Sequence, residues 1–200
     1  MNRRALLLAP LALIAAAAPL RAQLSLDQVS AYLNALTAAQ SDFAQVNADG
    51  SRDKGRLFIA RPNRMRFEYD GRDAALVLAS SGNVAIFDAK SNQPPEQYPL
   101  RRTPLSLILG PRIDLTADRM VVAHGTEDGF TTVTAQDPDN PEYGSIKLFF
   151  TESPIALRKW LIVDQGGGQT LVLLDGLQPR ASFPSSLFDI RGEIERRSGR

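Results

Sequence analysis

Apolar and polar positions alternate along much of the chain, most cleanly in Met65-Arg66-Phe67-Glu68-Tyr69. Successive side chains of a strand point to opposite faces, so Met65, Phe67 and Tyr69 share one face and Arg66 and Glu68 the other. Gly55 to Ala60 reads as its antiparallel partner, joined through a Pro62-Asn63 turn. Leu57 and Ile59 lie on one face of that partner, and Arg61 is the next residue in their row. A guanidinium buried without a partner is costly, so Arg61 should be hydrogen-bonded or sit at a rim.

The same pattern extends in both directions. Ser25-Leu26-Asp27-Gln28 has the form of a capping box, and Leu26, Val29, Tyr32, Leu33 and Leu36 follow at helical spacing, which predicts an amphipathic helix to about Ala39. Short strands are expected at Phe43–Val46, Ala74–Ala79, Asn83–Asp88 and Gln97–Leu100, with Asp49-Gly50, Asp70-Gly71 and Ser81-Gly82 as turns. Thr103-Pro104-Leu105-Ser106-Leu107-Ile108-Leu109-Gly110-Pro111 interrupts them with an N-cap, a proline at N1 and a Gly-Pro stop. That short helix is apolar nearly all round. Further strands are expected at Arg119–His124, Phe130–Ala135, Ser145–Phe150, Leu157–Asp164 and Gln169–Asp175, ahead of a polar, frayed tail at Arg191–Arg200. The expected fold class is mainly β with α (α+β), an up-and-down antiparallel sheet that is curled or closed. The two helices either complete a core or cover a cavity for an apolar ligand.

Residues 1–22 are expected to stand apart as a cleaved export signal peptide: Arg3 and Arg4, an apolar run from Ala5 to Leu20, then a small-residue site at Ala22. The run is too short for a membrane span and contains Pro10 and Pro19. Asn2-Arg3-Arg4 also loosely resembles a twin-arginine signal, so Sec and Tat export both stay open. Removal leaves residues 23–200 as a single domain, with 20 Lys and Arg against 22 acids, a net charge of −2. No basic excess remains to attract nucleic acid. The chain has no cysteine, so neither a disulfide nor a lipidated N-terminal cysteine is expected.

Chemistry-bearing motifs are scarce. His124 is the sole histidine and reads as a solvated edge residue; without cysteine a zinc site is not expected. Asp137-Pro138-Asp139-Asn140-Pro141-Glu142 lacks the glycine and distal glutamate of an EF-hand loop and reads as a hairpin loop. No nucleophile elbow, phosphate loop or dinucleotide fingerprint occurs. The chain does not read as an enzyme, and no cofactor is expected.

Several of these segments together resemble the LolA family of periplasmic lipoprotein carriers. They are Phe43-x-Gln45; Gly55-x-Leu57-x-Ile59-x-Arg61-Pro62-x-x-x-Arg66-Phe67-x-Tyr69; Ser81-Gly82 before an apolar strand ending at Asp88; and Thr103-Pro104-Leu105 with its helix. Gly129-Phe130, Leu148-Phe149, Leu157-x-x-Trp160-x-Ile162-x-Asp164 and Thr170 extend the resemblance over about residues 25–190. The Arg-Pro segment is its most specific part. The resemblance implies an incomplete antiparallel β-barrel of about 11 strands enclosing an apolar cavity, covered by a helical lid. It implies that Arg61 points inward and locks the lid by hydrogen bonds to its backbone carbonyls, and that Arg66 is a surface charge.

The function so implied is transport in the periplasm. An inner-membrane ABC transporter would load the acyl chains of a lipoprotein, and an outer-membrane receptor would take them from a monomeric carrier. The alternative is a periplasmic carrier or sensor of another lipid on the same fold. The residues then expected to line the cavity are Leu57 and Ile59 from one strand and Met65, Phe67 and Tyr69 from the next. Leu76, Leu78, Val84 and Ile86 would follow in the first half. Leu107 and Ile108 would line it from the short helix, and Phe149, Trp160 and Ile162 from the second half. A one-residue slip in any strand would invert its assignment.

Overall fold

The computed structural model describes residues 23–71, 74–88, 93–103, 105–117 and 119–198. The segment expected to be an export signal lies outside them. Helix α1 (Leu26–Ala35) opens the described chain with the expected capping box: Gln28 N–H donates to Ser25 Oγ, and Ser25 N–H to Gln28 Oε1. The helix ends four residues earlier than its spacing predicts. Leu36 closes it, and the Thr37 carbonyl accepts from Arg61 N–H at 2.8 Å, so the following alanines join the sheet instead.

The strands are β1 (Ala38–Val46), β2 (Arg52–Ala60), β3 (Arg64–Tyr69), β4 (Leu76–Ser80), β5 (Asn83–Phe87) and β6 (Glu96–Pro99). After the single turn of α2 (Ser106–Leu109) come β7 (Val121–Glu127), β8 (Phe130–Gln136), β9 (Ser145–Glu152), β10 (Ile155–Val163), β11 (Gln169–Leu174) and the two-residue β12 (Gln178–Pro179). All pairings are antiparallel, in the order β6-β5-β4-β3-β2-β1-β11-β10-β9-β8-β7, with β12 also on β1. The sheet is open, with β6 and β7 at its edges. Ser81-Gly82 and Asp128-Gly129 each combine two positive φ angles, the geometry that matches a two-residue hairpin loop to strand twist.

The sheet rolls around its own inner face. Strands β3 and β10 stand four places apart in the order, which in a flat sheet would separate them by roughly 19 Å. Instead Phe67 of β3 and Trp160 of β10 meet edge to face with ring centroids 6.1 Å apart. A glycine between β1 and β3 helps the curl, because a Cβ at Gly55 would collide with the Glu68 carbonyl.

A second apolar cluster lies on the outer face, where Phe58, Leu76, Leu78 and Phe87 pack with Phe188. The C-terminal segment covers it. The expected frayed tail is in fact helix α3 (Ile190–Ser198), and Ile190 and Ile194 rest on this cluster. Arg66 is likewise no free surface charge. Its side chain is only 11% exposed; Nε donates to Glu68 Oε1 at 2.6 Å and Nη1 to the Leu187 carbonyl at 3.2 Å. His124 is half-buried rather than solvated, with Nε2 2.8 Å from the Leu24 carbonyl.

Candidate functional site

The inner face is a continuous apolar surface. Leu57 and Ile59 of β2, Met65 and Phe67 of β3, Val84 of β5 and Trp160 of β10 all contribute buried side chains to it. Ile108 joins from α2, while Tyr69 and Ile162 are partly buried against it. Ile86 has the parity of Val84 but is 38% exposed near the β6 edge. The Leu107 side chain lies outside the described set. Phe43 of β1 and Ile146, Leu148 and Phe150 of β9 also belong to this face, although none is among the lining residues expected above.

Three expected lining residues face the other way. Leu76 and Leu78 belong to the outer cluster under Phe188. Phe149 lies on the outer side of β9, against Phe130 and beneath the Lys159 ammonium, 4.5 Å from its ring centroid. The slip has one cause in both strands. Leu76-Val77-Leu78-Ala79 and Leu148-Phe149-Phe150 are uninterrupted apolar runs, so no alternation marks which side is inward. Both faces are covered there.

Helix α1 and the 105–115 segment lie over the inner face, with Val29, Leu33, Leu109, Ile113 and Leu115 buried in its cluster. The β2–β3 turn clasps both. Arg61 N–H donates to the Thr37 carbonyl just after α1, and Asn63 N–H donates to Leu109 at the end of α2, each at 2.8 Å. The Arg61 guanidinium adds the stronger clasp: Nη1 donates to the Leu33 carbonyl, and Nη2 to the Gly110 carbonyl at 2.7 Å and to Asn34 Oδ1 at 3.2 Å. Nε reaches Gly110 as well, at 3.3 Å. Burial lowers the Arg61 pKa, yet the group stays charged, and its hydrogen bonds are of the charge-assisted kind.

Asn34 binds the two covering elements to each other. Its Nδ2 donates to the Ile113 carbonyl at 2.7 Å, and its Oδ1 accepts from Ile113 N–H at 3.0 Å. Ser30 Oγ accepts from Leu115 N–H at 3.0 Å, and Tyr32 Oη from Leu157 N–H at 3.1 Å. Burial raises the Tyr32 pKa, with the Leu157 bond working against it, and burial carries Tyr69 up to about 12. Both phenols are therefore neutral hydrogen-bonding groups at physiological pH.

Asn34→Ala removes both bonds to Ile113 and one acceptor of Arg61. It is expected to cost about 1–2 kcal/mol and to speed amide exchange at Ile113 and Leu115 more than in the strands, as read by hydrogen–deuterium exchange.

Among the described residues, no cluster of three or more His, Asp or Glu could hold a metal, and no helix is long and apolar enough to cross a membrane. The arrangement offers apolar surface and a polar clasp rather than reacting groups. Two elements cover an apolar face and are fastened to the β2–β3 turn through one arginine.

The chain belongs to the LolA family: the profile described as outer membrane lipoprotein carrier protein LolA matches residues 34–191. Two proteins of Coxiella burnetii, each called outer-membrane lipoprotein carrier protein, are 22% and 27% identical over 173 residues. Each alignment covers 82% of this chain and 81% of the relative. A LolA superfamily protein of Nitrosomonas europaea is 11% identical in its crystal structure, with a TM-score of 0.44 over 83% of this chain and 98% of that one. The family is one of carriers rather than enzymes.

Proposed function

We propose that this chain carries lipoproteins across the periplasm, holding their acyl chains against the inner face of the sheet. It takes them from an inner-membrane ABC transporter and passes them to an outer-membrane receptor, acting as a monomer and without covalent chemistry. The observation that carries this reading is the clasp. A broad apolar face lies under two elements that one guanidinium, through Leu33, Asn34 and Gly110, fastens to the β2–β3 turn. Opening that cover exposes apolar surface matched to hydrocarbon and breaks bonds that re-form when the cargo leaves.

Magnitudes favour hand-over between proteins. Burial of an acyl chain of about fifteen methylenes is worth ~12 kcal/mol gross at ~0.8 kcal/mol per methylene. Two or more chains would exceed the ~18–21 kcal/mol at which non-covalent affinity saturates, so part of the gross energy must be offset. Parting the packed interior and breaking the Arg61 bonds supply such an offset. Release into water stays prohibitive, which leaves transfer between two apolar surfaces.

The test is release of an acylated lipoprotein from inner-membrane vesicles containing the transporter and ATP. Mature protein is expected to bring the lipoprotein into the soluble fraction as a one-to-one complex. Lipoprotein that stays in the membrane with the carrier in excess contradicts the proposal.

A further inference from the structure

Trp160 lies on the inner face of β10, paired with Leu148 of β9 on one side and Val172 of β11 on the other. It is fully buried, and its ring meets Phe67 edge to face. Among the described residues, its indole Nε1–H is the one buried side-chain polar atom with no hydrogen-bond partner. Buried Trp ordinarily finds a partner for that N–H, because an unmade bond leaves the whole cost of desolvating the donor uncompensated. Phenylalanine would carry no donor to leave unpaired, at the cost of the volume that the smaller ring gives up. A fully buried donor that no protein group satisfies, set within an apolar face, is open to an acceptor brought by a ligand.

We propose that Trp160 Nε1–H is the polar anchor of this face, donating to a carbonyl oxygen of the linkage that attaches an acyl chain to its carrier molecule. The proposal rests on the carrier reading above and adds what the site recognises. A hydrocarbon chain has no acceptor; its ester or amide linkage has a carbonyl. The closed protein holds the N–H without a partner, and the bound carbonyl satisfies it in a place that water does not reach. Trp160 would thereby fix how deep the chains enter and favour acyl over alkyl lipids. It is a specificity-determining residue in a face whose other members are indifferent to the linkage.

The experiment is a binding titration of the mature protein with two lipopeptides of equal chain length. One carries a diacylglyceryl cysteine, the other its dialkyl ether twin, which has the same peptide but lacks both ester carbonyls. The wild-type protein is expected to bind the ester probe about tenfold more tightly, the value of one good hydrogen bond. Trp160→Phe should bind both probes with one affinity, the ester preference lost, whatever the smaller ring does to affinity and thermal midpoint as a whole. Should Trp160→Phe fold poorly, benzothienylalanine at position 160 replaces N–H by sulfur in the same shape and should give the same equalisation. A wild-type protein that binds both probes equally, or a variant that keeps the preference, overturns the anchor but leaves the carrier reading intact. Failure of the wild type to bind either probe overturns both.

Discussion

Arg61→Leu is expected to give a protein that accepts acylated lipoprotein but delivers it poorly. In the closed arrangement the guanidinium serves the Leu33 and Gly110 carbonyls and Asn34 Oδ1. Leucine serves none of them and leaves carbonyls of the cover under-satisfied, while its own side chain suits the apolar row of Leu57 and Ile59. Bonds to a charged donor contribute ~1.5–3 kcal/mol each, and water entering an opened cover recovers part of that. A net loss of about 2–3 kcal/mol from the closed state alone would raise apparent affinity for cargo about 30- to 150-fold. The same factor opposes release. The check is the fraction of preloaded lipoprotein passed to receptor-bearing membranes over time. Transfer at the wild-type rate would show that the clasp has no part in hand-over. Arg61→Lys, which keeps the charge but loses the planar fork, should fall between the two.

The second large effect is at the opposite face. Glu193 of α3 accepts from Arg196 at 2.6 Å and Arg197 at 2.9 Å, and lies 3.4 Å from Arg66 of β3. Burial alone would raise its pKa; the two hydrogen bonds and the Arg66 charge more than reverse that and bring it from 4.5 to about 2. Glu193→Ala leaves Arg66 with only Glu68 and the Leu187 carbonyl, beneath a helix that covers Phe58, Leu78 and Phe87. The expected cost at pH 7 is about 2 kcal/mol, less than for a fully buried pair because Arg196 is half-exposed. For a domain of this size that lowers the thermal midpoint by about 4–8 °C. The sign with pH follows from a carboxyl whose folded pKa is depressed. Its contribution is complete above the unfolded value near 4.5 and disappears as pH falls through about 2. The gap between wild type and Glu193→Gln should therefore narrow between pH 5 and pH 2. A gap that stays constant over that range would mean that Glu193 acts only through packing.

These two residues also mark what the sequence could and could not reveal. Arg61 was legible because it breaks an apolar row: a cation following Leu57 and Ile59 on one face demands a partner. Its partners were not legible from periodicity, since Leu33 and Gly110 offer backbone carbonyls that no side-chain pattern encodes. The inward positions of Met65 and Phe67 could be read because Arg66 and Glu68 mark the other face. Leu76, Leu78 and Phe149 could not, because α3 and the Phe130–Lys159 pair make both faces apolar or covered. Arg66 looked like a solvent charge for a related reason. Its buried partner lies 127 residues away, on a tail whose polar composition hides the few apolar residues that seat it. Helix α1 was over-extended through Ala38 and Ala39, good helix formers that pair with Ala60 and Ile59 instead. Tertiary pairing overrode local propensity there.

The most direct test of the account is native mass spectrometry of the mature protein recovered gently from the periplasm of its host. A population carrying an added mass made of an acylated lipoprotein is expected, enriched in the Arg61→Leu variant. Enrichment of the variant with free phospholipid or another lipid in place of acylated protein would contradict it.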